Sequence, residues 1–199
     1  MRTLDLFPTE REHCQNVERD RKSGAYWERC FCVMCAAYGK TFTPHQIGRS
    51  VAAAAHYYDS GWRSLLLPDV SIWTSPGEDH EVKHKNPTKS GYYGLEEYRW
   101  RALVNFQKES GRAVYYTIHR WDPALGTHSE VHREGDWFTV SIADLLEAIE
   151  RKEADYSNWP SYVGGKTKQV FGWYWPERLW HPLAEHLQFG PPPTVAEAP

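Results

Sequence analysis

The sequence predicts a mixed α/β domain, a sheet flanked by helices, and three observations carry that reading. Apolar residues recur at helical spacing over about 24–38, 95–108 and 142–152, and β-rich runs fall at 65–73, 80–84, 113–119 and 137–140. These runs alternate along the chain instead of segregating, which is the order expected of layered sheet and helices. No internal repeat is visible.

The elements follow in order. Residues 1–22 form a polar N-terminal segment, after which Ser23 is positioned to cap a helix from about Gly24 to Tyr38, ended by Gly39. Phe31, Cys32, Cys35 and Ala36 make its expected apolar stripe, and Glu28 leans onto the same face, an unusual place for an acid. Between Lys40 and Trp62 the pattern is weak, and the run Ala52 to Ala55 suits a short helix or a packed turn. The segment 65–73 reads as a strand, 74–79 (Thr-Ser-Pro-Gly-Glu-Asp) as a turn, and His80 to His84 as the returning strand of a hairpin. A loop over 85–91 then feeds a helix from about Leu95 to Lys108, closed by Gly111, and residues 113–119 form the next strand. Trp137 to Val140 is expected as a strand, and Ser141 with Asp144 resembles a capping box opening a helix to about Lys152. The domain proper thus covers 23–152, an aromatic-rich extension packed on it covers 153–189, and the Pro-rich 190–199 is a flexible tail.

Composition narrows the function. The 199 residues carry 23 Lys+Arg against 26 Asp+Glu, a formal net charge of -3, so polyanion binding must come from a local patch. Such a patch is present: from Lys83 to Arg120 eight basic residues face three acidic ones, a local +5 that leaves -8 for the remainder. Within it, Arg99, Arg101 and Lys108 fit a solvated helix face. No apolar run reaches the roughly 18 to 20 residues of a membrane helix, and the opening lacks a signal-peptide core, so the expectation is a soluble, cytoplasmic protein with no membrane partner. Gly-rich phosphate loops, nucleophile elbows and zinc-protease motifs do not occur.

The chemistry concentrates at Pro68-Asp69 and Glu81-Val82-Lys83. Residues two apart in a strand share a side, so Glu81 and Lys83 project together while Val82 points into the core, and the hairpin brings Asp69 across from them. Two close carboxylates repel unless a cation lies between them, and hard oxygen donors suit Mg²⁺, or Mn²⁺ as a substitute. Lys83 beside such an ion can orient a water and stabilise charge on phosphorus. Glu28 is a candidate further ligand. The bland alternative is a surface hairpin of solvated charges, with Glu28 paired to Arg29 or Lys40.

Together, Glu28, Pro68-Asp69 and Glu81-Val82-Lys83 resemble the signature of the PD-(D/E)XK nuclease superfamily, over about Gly24 to His119. The Gly24-Ala25-Tyr26-Trp27-Glu28 start, Gly39 and the later motifs are similar in layout to the archaeal-type Holliday junction resolvases. That resemblance implies a restriction-endonuclease-like αβββαβ core and Mg²⁺-dependent DNA endonuclease activity leaving a 5′-phosphate, in recombination, repair or phage DNA processing. It implies metal ligands at Asp69 and Glu81, a catalytic Lys83 and a homodimer. Expected DNA contacts are Lys85, Lys89, Tyr93, Gln107, Arg49 and Arg63. Two departures stand out: the segment before the Pro-Asp strand reads Arg49-Ser50-Val51-Ala52, and a long aromatic region follows the core. A non-catalytic nucleic-acid- or protein-binding module on the same fold is the alternative.

Cys14, Cys30, Cys32 and Cys35 could supply four thiolates to zinc or an iron–sulfur cluster, but Cys32 and Cys35 fall on the buried helix stripe, which favours core packing and reduced thiols. His128 and His132 have zinc-compatible spacing without a recognisable partner pair and are read as loop histidines.

Overall fold

A computed structural model describes residues 10–45, 68–85, 87–88, 90–120, 136–163 and 166–189, with side chains from residue 24 onward except those of 159–168. The expectations for Cys14, Arg49, Ala52 to Ala55, Arg63, Lys89, His128, His132 and the tail lie outside what is described.

The chain opens with helix α1 (Glu10–Ala37), which begins well before the expected Gly24. The polar turns upstream of Ser23 are helical too, so Ser23 lies inside the helix and not at its start. Its inward stripe is Trp27, Phe31, Met34 and Cys35, spaced four, three and one apart; Ala36, expected there, is exposed. Gly39 ends it as expected, at φ +67°, and the Lys40 amide returns to the Cys35 carbonyl at 2.9 Å.

A short strand, β1 (Phe42–Pro44), then pairs antiparallel with β2 (Val70–Ile72), which pairs antiparallel with β3 (Glu78–His84). The expected hairpin is present, with Val70 opposite His80 and Ile72 opposite Glu78. Next comes a difference. Residues expected to lead into a helix form strand β4 (Tyr92–Glu96), and only then does helix α2 (Glu97–Ser110) start. A partner strand more than 70 residues downstream captures this segment, a tertiary contact that local periodicity does not encode. After Gly111 the chain enters β5 (Ala113–His119), parallel to β3, then β6 (Trp137–Ser141) and helix α3 (Ile142–Glu150). The Ser141 hydroxyl caps α3 by accepting from the Asp144 amide at 2.9 Å.

The aromatic region folds as a long hairpin, β7 (Asp155–Val163) and β8 (Lys166–Pro176), followed by a 3-10 turn, a short β9 (His181–Pro182) and helix α4 (Leu183–Phe189). Two sheets result: six strands in the order β1-β2-β3-β5-β6-β9, and three in the order β4-β8-β7. The succession α1, β1, β2, β3, α2, β5 supplies an αβββαβ core, and the six-stranded mixed sheet is flanked by helices. Gly94 on β4 faces Tyr174 on β8, where a Cβ would lie 2.7 Å from the tyrosine ring, so close strand approach requires glycine.

Alternation along β3 divides two apolar cores. Val82 joins Trp27, Phe31, Met34, Val70, Ile72, Trp137, Leu183 and Leu187, beneath α1 and α4. On the other side Leu103, Val114, Tyr116, Ile118, Val140, Leu145, Trp175 and Trp180 pack beneath α2, α3 and the second sheet. At roughly 25 cal/mol per Å² of apolar area removed from water, the large rings in both cores are major contributors to stability.

Candidate functional site

The hairpin positions the site through register. Asp69 immediately precedes Val70, whose partner is His80, and its Oδ2 accepts a hydrogen bond from the Val82 amide at 2.7 Å. Glu81 and Lys83 flank Val82 in β3 and turn to the opposite side, where Glu81 is fully buried. The Lys83 ammonium lies 3.4 Å from Asp69 Oδ2 and forms a short ion pair with Glu81 Oε1. It also donates to the Val82 carbonyl at 3.2 Å. The structure therefore brings Asp69, Glu81 and Lys83 together as the spacing predicts.

Arg99, expected on a solvated helix face, is instead part of this group: its Nε lies 2.9 Å from Glu81 Oε1, with the side chain mostly buried. A signal was present, because Arg99 stands one helical turn before Leu103, which faces the core. Glu28 enters from α1. Its carboxyl is pushed up to about 7, first by burial and then by the Asp69 charge, with Lys83 pulling the other way. Burial acts to lower Lys83, but the carboxylates of Asp69 and Glu81 outweigh it and hold the ammonium above the usual lysine range. Lys83 is thus a fixed positive charge at neutral pH.

Whether this donor set fits a hard divalent cation is a question of unused oxygens. Among the described residues, Oε2 of Glu28 and Oε2 of Glu81 are both buried without a hydrogen-bond partner, and carboxylate oxygens of this kind are the donors that Mg²⁺ and Mn²⁺ accept. The set fits. Between Asp69 and Glu81, where an ion was expected, the structure places the Lys83 ammonium. The described group of His, Cys, Asp and Glu side chains whose ligand atoms all lie within 4.8 Å of one another is a different one, Glu78, His80 and His186.

The expected DNA contacts fare unevenly. Tyr93 is corrected: it is 1% exposed, with its ring centroid 5.0 Å from that of Trp180, because β4 is a strand whose alternate residues enter the core. Gln107 does look toward the sheet, where its Oε1 accepts from the Val114 amide at 3.1 Å and steadies the start of β5. Lys85 donates to the Gly94 carbonyl at 2.7 Å and lies 3.9 Å from Glu96. The local excess of positive charge is largely matched inside the fold. Lys83, Lys85, Arg99, Arg101, Arg112 and Arg120 each have an acidic partner, which for Arg112 is the buried Asp79 at 2.6 Å and for Arg101 is Glu97.

Cys30, Cys32 and Cys35 are free thiols, with Cys35 wholly buried in the core. Burial pushes Cys32 up to about 11, helped by the Glu28 charge, as suits thiols that pack and do not react. Among the described residues no helix is long and apolar enough to cross a membrane.

No family model matches the sequence, and no curated protein matches it. Among solved structures the chain is similar to Hjc of Archaeoglobus fulgidus, a Holliday junction resolvase from an archaeal hyperthermophile. The match covers 83% of this chain and 95% of that one, at 12% identity and a TM-score of 0.46.

Proposed function

We propose that this protein is a metal-dependent DNA endonuclease that hydrolyses phosphodiester bonds. The observation that carries the proposal is the sharing of one ammonium, Lys83, between the carboxylates of Asp69 and Glu81, beside buried carboxylate oxygens of Glu28 and Glu81 that have no hydrogen-bond partner among the described residues. Asp69, Glu81 and Glu28 are the residues that would hold Mg²⁺, with Mn²⁺ as a substitute. When bound, such an ion supplies Lewis-acid stabilisation of phosphate charge and a more acidic water.

The chain's own groups account for the rest. Lys83 keeps its proton, so it serves as a donor that orients the attacking water and offsets negative charge building on phosphorus. Arg99 fixes the Glu81 carboxylate. Val82, by donating its amide to Asp69, sets that carboxylate toward Lys83. Lys85, Arg49, Arg63 and Lys89 are proposed backbone contacts, and Gln107 acts through the strand it steadies. Roles in recombination, repair or phage DNA processing, and assembly as a homodimer, are extensions of this reading.

The test is cleavage of linear duplex, single strand, flap and four-way junction DNA with Mg²⁺ or Mn²⁺, with and without chelator. Lys83→Ala should lower metal-stimulated cleavage by about 10²- to 10³-fold while DNA binding and fold persist. Wild-type rates in that variant would overturn the mechanism. The alternative, a binding module without catalysis, is favoured by the fact that Glu81 Oε1 already meets two cations. DNA retention without cleavage on any substrate would establish it.

A further inference from the structure

On the opposite side of β3 from Glu81 and Lys83, residues Glu78 and His80 point beneath α1 and α4, where His186 of α4 meets them. All three are buried, His80 completely. His186 Nε2 lies 3.0 Å from each Glu78 oxygen, and His80 Nε2 lies 3.2 Å from Glu78 Oε1. We propose that Glu78, His80 and His186 form a buried Zn²⁺ site that pins the C-terminal helix to the central strand. This site is independent of the proposed nuclease centre.

Three observations support it. A tetrahedral Zn²⁺ with ligand bonds of about 2.05 Å has edges of about 3.3 Å, close to the two His–Glu spacings found here, and the three ligand atoms all lie within 4.8 Å of one another. Two imidazoles and one carboxylate are a donor set that zinc accepts and Mg²⁺ does not favour. Finally, His80 Nδ1 lies 2.8 Å from Thr117 Oγ1, which lies 2.8 Å from Thr139 Oγ1. With Nδ1–H donated to Thr117, the lone pair of the buried Nε2 faces Glu78 Oε1, 3.2 Å away. That is how outer-shell hydroxyls orient a metal-binding histidine. Without an ion the same residues would be a buried ion pair whose desolvation is costly.

The full-length chain, stripped with chelator, should take up one equivalent of Zn²⁺ or Co²⁺ with a rise in unfolding temperature. X-ray absorption of the Zn²⁺ form should show two imidazoles and oxygen in the first shell. The double variant Asp69→Asn, Glu81→Gln, which disables the hairpin carboxylates, should keep this equivalent, so failure of the nuclease reading and failure of this site are read separately. His186→Gln should weaken Zn²⁺ binding by about 100-fold or more, and Thr117→Val by about 10- to 100-fold. No bound Zn²⁺ or Co²⁺ in the wild type, a first shell without imidazole, or undiminished binding in His186→Gln would overturn the proposal. The wild-type absorption spectrum decides even where a variant does not fold.

Discussion

Asp69 and Lys83 meet across the β2–β3 hairpin at 3.4 Å, and the same Asp69 oxygen is held by the amide of the intervening Val82 at 2.7 Å. One carboxylate therefore serves the strand and the site at once. Asp69→Ala should cost about 1–3 kcal/mol, because the Val82 N–H loses its acceptor. Asp69→Asn retains an oxygen there and should stay within about 1 kcal/mol while losing cleavage. Urea unfolding of both variants beside a nicking assay separates the two roles.

Arg99→Met leaves Glu81 buried with Lys83 as its cation. Stability in the absence of divalent ions should fall by about 1–3 kcal/mol, and Mg²⁺ should restore part of the loss more effectively than it stabilises the wild type. Thermal unfolding with and without Mg²⁺ checks this; equal Mg²⁺ responses in the two proteins would count against Glu81 as a ligand.

Arg112 contacts the Asp79 carboxylate at 2.6 Å and the carbonyls of Ile72 and Glu78 at 3.0 and 3.1 Å. Arg112→Ala abandons a buried charge and should cost about 3–5 kcal/mol. Arg112→Lys should recover less than half, since an ammonium cannot reproduce the fork that reaches three oxygens. Denaturant midpoints of the three proteins measure both effects.

Trp175 donates from Nε1 to the Leu145 carbonyl at 2.9 Å, tying the second sheet to α3. Trp175→Phe keeps most of the ring but removes that hydrogen bond, for a cost of about 1 kcal/mol. A chain ending after Lys152 lacks Trp175, Trp180, Leu183 and Leu187, all buried in the two cores, and should show no cooperative unfolding transition. A sharp calorimetric transition in that fragment would contradict the packing described.

Much of the fold was legible because its signals are local. Gly39 and Ser141 mark helix ends by their own backbone and hydroxyl chemistry, and the turn at 74–77 with strand alternation fixed which side of β3 carries Glu81 and Lys83. What was not legible depends on partners distant in sequence. Tyr92–Glu96 is a strand because β8 lies beside it, and Tyr93 is buried for the same reason. His186 has only His181 near it, five residues away and outside a metal-motif spacing, and it meets Glu78 only after the sheet is built. Arg99 fits a solvated face by its spacing alone, because a helix-face arginine meets an acidic partner inside the fold only when a second layer supplies one, as β3 does through Glu81.

The contact between Glu78 and His186 joins positions 108 residues apart. During translation, a nascent chain exposing β3 therefore waits for α4 before that flank of the sheet is closed. Separations of this kind slow folding, because the loop must be ordered before the contact can form. Until then α1 covers its share of that core, but the part that Leu183 and Leu187 complete stays open to association with other chains. Synthesis at lower temperature or slower rate should accordingly raise the yield of the native protein more than it would for a bundle of sequentially adjacent helices.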